Sequence, residues 1–463
     1  MPTAALPSPP RLRALIADLE SGLLERDAAV RLALLAALAG EHVLLIGPPG
    51  SAKSELARRL HRAFADTRYF ERLLTRFSTP EELFGPLSLA ALENDRYERL
   101  TDGYLPTAGV AFLDEVFKAN SAILNALLTL LNEREFDNGS VRLAVPLVSV
   151  VGASNEVPDD DALTAFYDRF LVRVPVALVS DAAFGALLTL PGGAAPAPAQ
   201  PISAGERAAI LAARNAVALA NDALAALRSL RTWLGASPGG APSDRRWRQC
   251  VGLLRVAALT EGRACVDALD LWLAPYVMAA EPGQAAALER WFIAQIAQSA
   301  PLDAAWLNRA VQAFERQLEI EQRLPPDDAA ADGAGKLAVA RALGAEAEGL
   351  DSMRLVAAAL EARDRRHFSA LHVATRVAQT LEVRERAQAA RDAVHEQLDG
   401  LSAQLAARLW WPPSLVERVH AGPALTLAVL DGLLARLNAV QAGFAALPVD
   451  ARIAAAAPAL IEA

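Results

Sequence analysis

Cysteine is almost missing: Cys250 and Cys265 are the only two in 463 residues, and they form no Cys-x-x-Cys pair. That excludes a disulfide framework and a zinc site and leads us to expect a reducing, cytoplasmic setting. Aromatic residues reach only 6% against 53% apolar residues swollen by alanine, a balance that suits abundant helix rather than an all-β fold. There is no basic excess either. Lys and Arg number 45 against 54 Asp and Glu, a formal charge of -9, so nucleic acid is not the expected partner and a DNA-remodelling motor is disfavoured. The longest uncharged stretch, 182–205, is broken by Pro191, Pro196, Pro198 and Pro201, so no membrane span is expected. Met1 to Pro10 lacks the basic and apolar regions of a signal peptide, and no export is expected. The histidines His42, His61, His367, His372, His395 and His420 show no metal spacing and read as core or solvated positions.

A chain of this length exceeds one ordinary core and predicts two or three domains. Apolar runs at 41–46, 110–113, 147–151 and 171–176 alternate with helical or turn-rich stretches, which predicts a mostly parallel α/β sheet over about the first 180 residues. A Pro/Gly/Ala-rich linker follows, then a helical module, then helices to the end. These are broken at Pro325-Pro326 and at Trp410-Trp411-Pro412-Pro413. Val394, Leu398, Leu401 and Leu405 step at helix-packing spacing, as a seam of a hairpin or bundle or as an ordinary core stripe.

The chemistry concentrates in a few places. Gly47-Pro48-Pro49-Gly50-Ser51-Ala52-Lys53-Ser54 follows a strand and opens a helix. Such a loop points backbone N–H groups at phosphates, with Lys53 for the β and γ oxygens and Ser54 for Mg²⁺. Ala52 stands where glycine is usual, and its methyl group requires a negative φ. Val110 to Leu113 ends in Asp114-Glu115, where Asp114 is placed to hold the Mg²⁺ shell and Glu115 to polarise the attacking water. Together the two motifs predict ATP hydrolysis. Leu147 to Ser154 ends in Asn155, a candidate to position that water with Glu115, or else a turn former. Arg169, after Tyr167-Asp168, is a candidate arginine finger for a neighbouring subunit, with Arg173 in reserve; its plain alternative is an ion pair with Asp168. Arg245 and Arg246 sit in the first turn of a helix capped by Ser243 or Asp244. There they oppose the helix dipole, so a bound phosphate would explain them; Arg245 is the first choice and Arg246 the second.

The series Lys53, Asp114-Glu115, Asn155, Arg169 and Arg245 resembles the AAA+ superfamily and, within it, the MoxR family. Phe77 to Ser88, Tyr97 to Pro106, Leu113 to Ala119 and Ser243 to Trp247, together with Ala52, look like its RavA branch. The resemblance covers about residues 10–280 and weakens beyond, where little β-pattern appears between Pro325 and His372. It implies an αβα nucleotide-binding core over 1–185 with an inserted hairpin near 87–106, and a second hairpin from Phe136 to Val145. A linker at 186–205, an all-helical lid at 206–285 and a helical arm or bundle at 286–463 follow. It further implies a homo-hexameric ring binding ATP and Mg²⁺, a von Willebrand factor A domain partner, and a motor or chaperone role in maturing protein complexes. The competing expectation is a nucleotide-gated scaffold or switch with slow hydrolysis.

Overall fold

The structure is a computed structural model and describes residues 5–158, 161–190, 198–238, 240–297, 304–324 and 366–461. Two compact units emerge: one contains 1–299 together with 402–419, the other 300–401 together with 420–463.

In the first unit the strands are β1 (Val43–Ile46), β2 (Tyr69–Leu73), β3 (Val110–Asp114), β4 (Glu135–Asn138), β5 (Val141–Ala144), β6 (Ser149–Ser154) and β7 (Val172–Pro175), with two short parallel strands, β8 (Ala218–Leu219) and β9 (Cys265–Val266), inside the region expected to be all-helical. Five of them form a parallel sheet in the order β2-β3-β6-β1-β7. β3, β6 and β1 occupy its middle, and their continuous apolar runs are what a sheet covered on both faces requires. Asp27–Ala39 is apolar except at Asp27 and Arg31 and is correspondingly buried over most of its length. Ser121–Glu133 begins where the Asn120 side chain accepts the Ile123 N–H and buries Ile123, Leu127 and Leu130 against the sheet. β4 and β5 make an antiparallel hairpin. A second excursion is closed by the antiparallel bridge between Leu87 and Arg99, and Asn138 ties the two together through the Arg99 N–H and C=O.

The helical module contains Ala204–Ala213, Asn221–Ala236, Asp244–Thr260 and Pro282–Phe292. Residues 402–419 also pack here, although the sequence shows at 410–413 only a helix break. Trp410 donates its indole N–H to Thr260 Oγ1, and Trp411 lies against Trp272 and Phe292. Arg31, in Asp27–Ala39, donates to the carbonyls of Leu409 and Trp411. Arg408 joins Arg263 in a buried ion network with Glu261, Asp267 and Asp270.

In the second unit, Leu307, Val311, Ala387, Leu430 and Leu437 form one cluster, against which Val394 rests; Phe314, Phe368, Val440 and Phe444 form another. Glu321 is buried between Arg376 and His372. Most of the stretch expected to lack β-pattern, 325–365, and most of the linker's proline-rich part, 191–197, lie outside the described residues.

Candidate functional site: a phosphate loop and the two edges of the sheet

The sheet register brings the chemistry-bearing tips side by side. Ile46 pairs with Ser154 and Leu113 with Gly152, so the phosphate loop after β1, Asp114-Glu115 ending β3 and Asn155 after β6 meet at the carboxyl edge. The loop runs so close to Val176 that a Cβ on Gly47 would lie 2.0 Å from its carbonyl oxygen, and Gly50 takes φ +80°. Ala52 does not keep the negative φ expected of it. It takes φ +68°, the left-handed turn into Lys53–Arg62 that glycine normally supplies. Its methyl group is therefore held at a cost of about 1–2 kcal/mol.

Lys53 is 7% exposed, and its ammonium donates to the carbonyls of Gly47 (2.7 Å) and Pro48 (2.9 Å) and to Asn155 Oδ1 (3.4 Å). Burial lowers its pKa, while the nearby Asp114 and Glu115 oppose that shift. The Asn155 amide also donates to Glu115 Oε1 at 2.7 Å, so one side chain bridges the lysine and the carboxylate. Glu115 sits in the left-handed region at φ +51°, its N–H bonded to Asp114 Oδ1 and its other carboxylate oxygen 3.3 Å from Lys118. Strain of this kind gathers where a side chain must be aimed. Arg26 was not read from the sequence. It is buried behind the loop, donating to the carbonyls of Ser51 (3.1 Å) and Ala177 (2.6 Å). An arginine before an apolar helix carries no motif signal, so nothing in the sequence marks it.

The arginine candidates lie at the other edge. Arg246 is 4% exposed and donates to the Val277 and Leu171 carbonyls and to Asp168 Oδ1 at 3.0 Å. Arg173 donates to the Ala279 and Tyr167 carbonyls and lies 3.7 Å over the Tyr167 ring. Desolvation, with Arg246 close by, pushes its pKa down to about 9. Both reserve candidates are thus engaged in tying the core to residues 277–279. Arg169 does not pair with Asp168 among the described residues, and its Nε is buried without a hydrogen-bond partner. Arg245 is exposed and donates to Asn132 Oδ1 at 3.1 Å. Asp168 to Leu171 precede β7, and Asn132 ends the helix after β3, so this is the amino edge, separated from the phosphate loop by a strand's length of about 13 Å. The structure does not bring Arg245 or Arg169 to the phosphate loop of their own chain.

A family described as the MoxR domain in the MoxR-vWA-beta-propeller ternary systems matches residues 10–203, and an AAA lid domain matches 222–292. The first of these regions is thus a MoxR domain of the AAA+ type and the second its lid. Two uncharacterised proteins of Methanocaldococcus jannaschii are each 55% identical over 157 residues, 34% of this chain and 41% and 42% of their own. A structural protein of Acidianus two-tailed virus is 29% identical over 161 residues, 34% of this chain and 26% of its own. The chain thus spans well under half the length of the curated relatives it matches. A solved protein of Cytophaga hutchinsonii, described as a candidate ATPase, superposes with a TM-score of 0.49 at 17% identity, over 58% of this chain and 86% of its own; that likeness is too loose to weigh.

The donor set at the MoxR site suits Mg²⁺. Ser54 supplies a hydroxyl in the first turn of Lys53–Arg62, and Asp114 supplies a carboxylate with one oxygen engaged by the Glu115 N–H. Two hard oxygen donors beside a phosphate loop match an ion that keeps waters and phosphate oxygens as its other ligands.

Proposed function

We propose that this MoxR-domain chain is an Mg²⁺-dependent ATPase that works as a ring, most simply a homo-hexamer, and remodels or matures protein complexes in the cytoplasm. The bridge made by Asn155 between Lys53 and Glu115 carries the hydrolytic reading. In that reading Lys53 exchanges the Gly47 and Pro48 carbonyls for the β and γ oxygens of ATP, joined by the N–H groups of Gly50 to Ser54. Glu115 accepts a hydrogen bond from the attacking water, and Asn155 fixes the carboxylate and the water together. Ser54 and Asp114 would hold Mg²⁺, which when bound would offset the charge on the phosphate oxygens. Arg169 and Arg245, remote from their own loop, serve the site of the adjacent protomer, Arg169 as the finger. The family's description names von Willebrand factor A and β-propeller systems, and we take proteins with such domains as the partners. The branch resemblance to RavA rests on the motif stretches alone.

Mixing two inactive variants tests the shared site. Glu115→Gln and Arg169→Ala should each bind ATP and assemble, as read by light scattering, yet lose turnover by at least about a hundredfold. Mixed rings pair an intact Glu115 on one chain with an intact Arg169 on the next, so activity should return in part. No recovery from assembled mixed rings would mean that Arg169 does not act on a neighbour. Wild-type rings that bind ATP without turnover would favour the nucleotide-gated scaffold instead.

A further inference from the structure

The amino edge holds a cavity of about 520 Å³ that the hydrolytic reading does not use. One face of Asp244–Thr260 forms its wall through Trp247, Arg248, Gly252 and Arg255, with Arg214 and Glu41 opposite. Glu41 begins the approach to β1 and the phosphate loop leaves it, so the two sites lie at opposite ends of one strand.

Three arginines converge here, and among the described residues none has a carboxylate partner within ion-pair distance. Arg214 makes one bond, to the Ala39 carbonyl at 3.1 Å. The Arg255 Nε is buried with no hydrogen-bond partner. Elsewhere in the same unit Arg11, Arg31 and Arg59 are paired with Glu206, Glu20 and Glu55, and Arg26 and Arg134, which lack a carboxylate partner, each hold several backbone carbonyls. Glu41, the one carboxylate of the cavity, accepts from Gln249 at 2.9 Å, and burial pushes its pKa up to about 7, so near neutrality it opposes an anion only in part. A second recess on the far side of Trp247 and Arg248 adds Arg228 and Arg231, likewise without ion-pair partners among the described residues, against one carboxylate, Asp244, so the arginines still outnumber the acids around one indole in a chain whose net charge is -9.

We propose that this cavity is a second ligand site, for a nucleoside phosphate, with the base against Trp247 and the phosphates among Arg214, Arg248 and Arg255. The volume lies in the range of small-molecule sites, roughly 300–1,000 Å³. Guanidinium forks suit phosphate oxygens in paired hydrogen bonds, and an indole face suits a planar base. Gly252 leaves the floor open: a Cβ built there meets nothing within 4 Å. Leucine at that position therefore enters the cavity without a backbone clash, and it favours the helix over glycine.

The cavity takes its nucleotide from solution and not from the phosphate loop of an adjacent protomer, and titration calorimetry with ADP on the full chain separates the two. The wild type should bind two ADP per chain. Lys53→Ala, with its phosphate loops disabled, should retain one, which Gly252→Leu or Arg248→Glu added to it weakens by at least about tenfold. Gly252→Leu in the wild-type background should leave one ADP per chain and an unchanged thermal midpoint. A wild type that binds one ADP and a Lys53→Ala chain that binds none would overturn the proposal, since the cavity would then hold no nucleotide from solution. Retained binding that is insensitive to both cavity variants would overturn it equally. Either result leaves the hydrolytic reading standing, because that rests on Glu115 and the mixed-ring experiment.

Discussion

At the carboxyl edge of the sheet Lys53, Asn155 and Glu115 hold one another, whereas at the amino edge Arg173 and Arg246 hold backbone carbonyls of Ala279, Val277 and Leu171. The first arrangement can be released: a lysine bonded to two loop carbonyls and an amide can exchange them for phosphate oxygens. The second cannot, because removing a buried guanidinium strands several acceptors in a place water does not reach. Neighbours in sequence fall on different sides of this divide. Arg245 is exposed and Arg246 buried; Arg169 and Arg173 each keep a buried Nε without a partner, but the Nη groups of Arg173 hold the Ala279 and Tyr167 carbonyls. Charge of one sign at one edge therefore serves two ends, and enclosure decides which.

The largest effect that could break this comparison comes from Arg246→Ala, which should lower stability by about 3 kcal/mol, while Arg245→Ala should stay within about 0.5 kcal/mol in the same thermal unfolding series. Equal effects would erase the distinction between the two arginines. Arg26→Ala probes the other edge: loss of its bonds to the Ser51 and Ala177 carbonyls should cost about 2 kcal/mol and weaken ATP binding. Unchanged ATP affinity would show that the phosphate loop holds its shape unaided.

A pH series sharpens the picture at the amino edge. The folded-state pKa of Glu41, raised to about 7, lies above its ordinary value, so its contribution is fully present below about pH 4 and is lost as pH rises through 7. The wild type should therefore lose on the order of 1–2 kcal/mol between pH 5 and pH 8 that Glu41→Gln does not lose, as read by chemical denaturation. Ala52→Gly should give the smallest change, a gain of up to about 1 kcal/mol, because it relieves the left-handed alanine while giving back some unfolded-state entropy.

What could be read in advance follows the range of the forces involved. Apolar runs that end in Gly47, Asp114 and Asn155 predict strands with chemistry at their tips, since strand burial and loop composition are local signals. The left-handed Ala52 was not foreseen, because its φ is imposed by the loop as a whole. Nor was the return of 402–419 to the first unit, because paired prolines at 412 and 413 show where a helix stops and not what Trp410 and Trp411 then touch.

The sequence by itself determined the α/β core, the phosphate loop and the strand tips at Asp114-Glu115 and Asn155 that meet beside it. Only the tertiary structure decided that Asn155 bridges Lys53 to Glu115, that Arg173 and Arg246 are structural ties, and that Arg214, Arg248 and Arg255 converge on one cavity. Those outcomes depend on which carbonyls and carboxylates distant segments bring within hydrogen-bond reach, and no spacing along the chain encodes that distance.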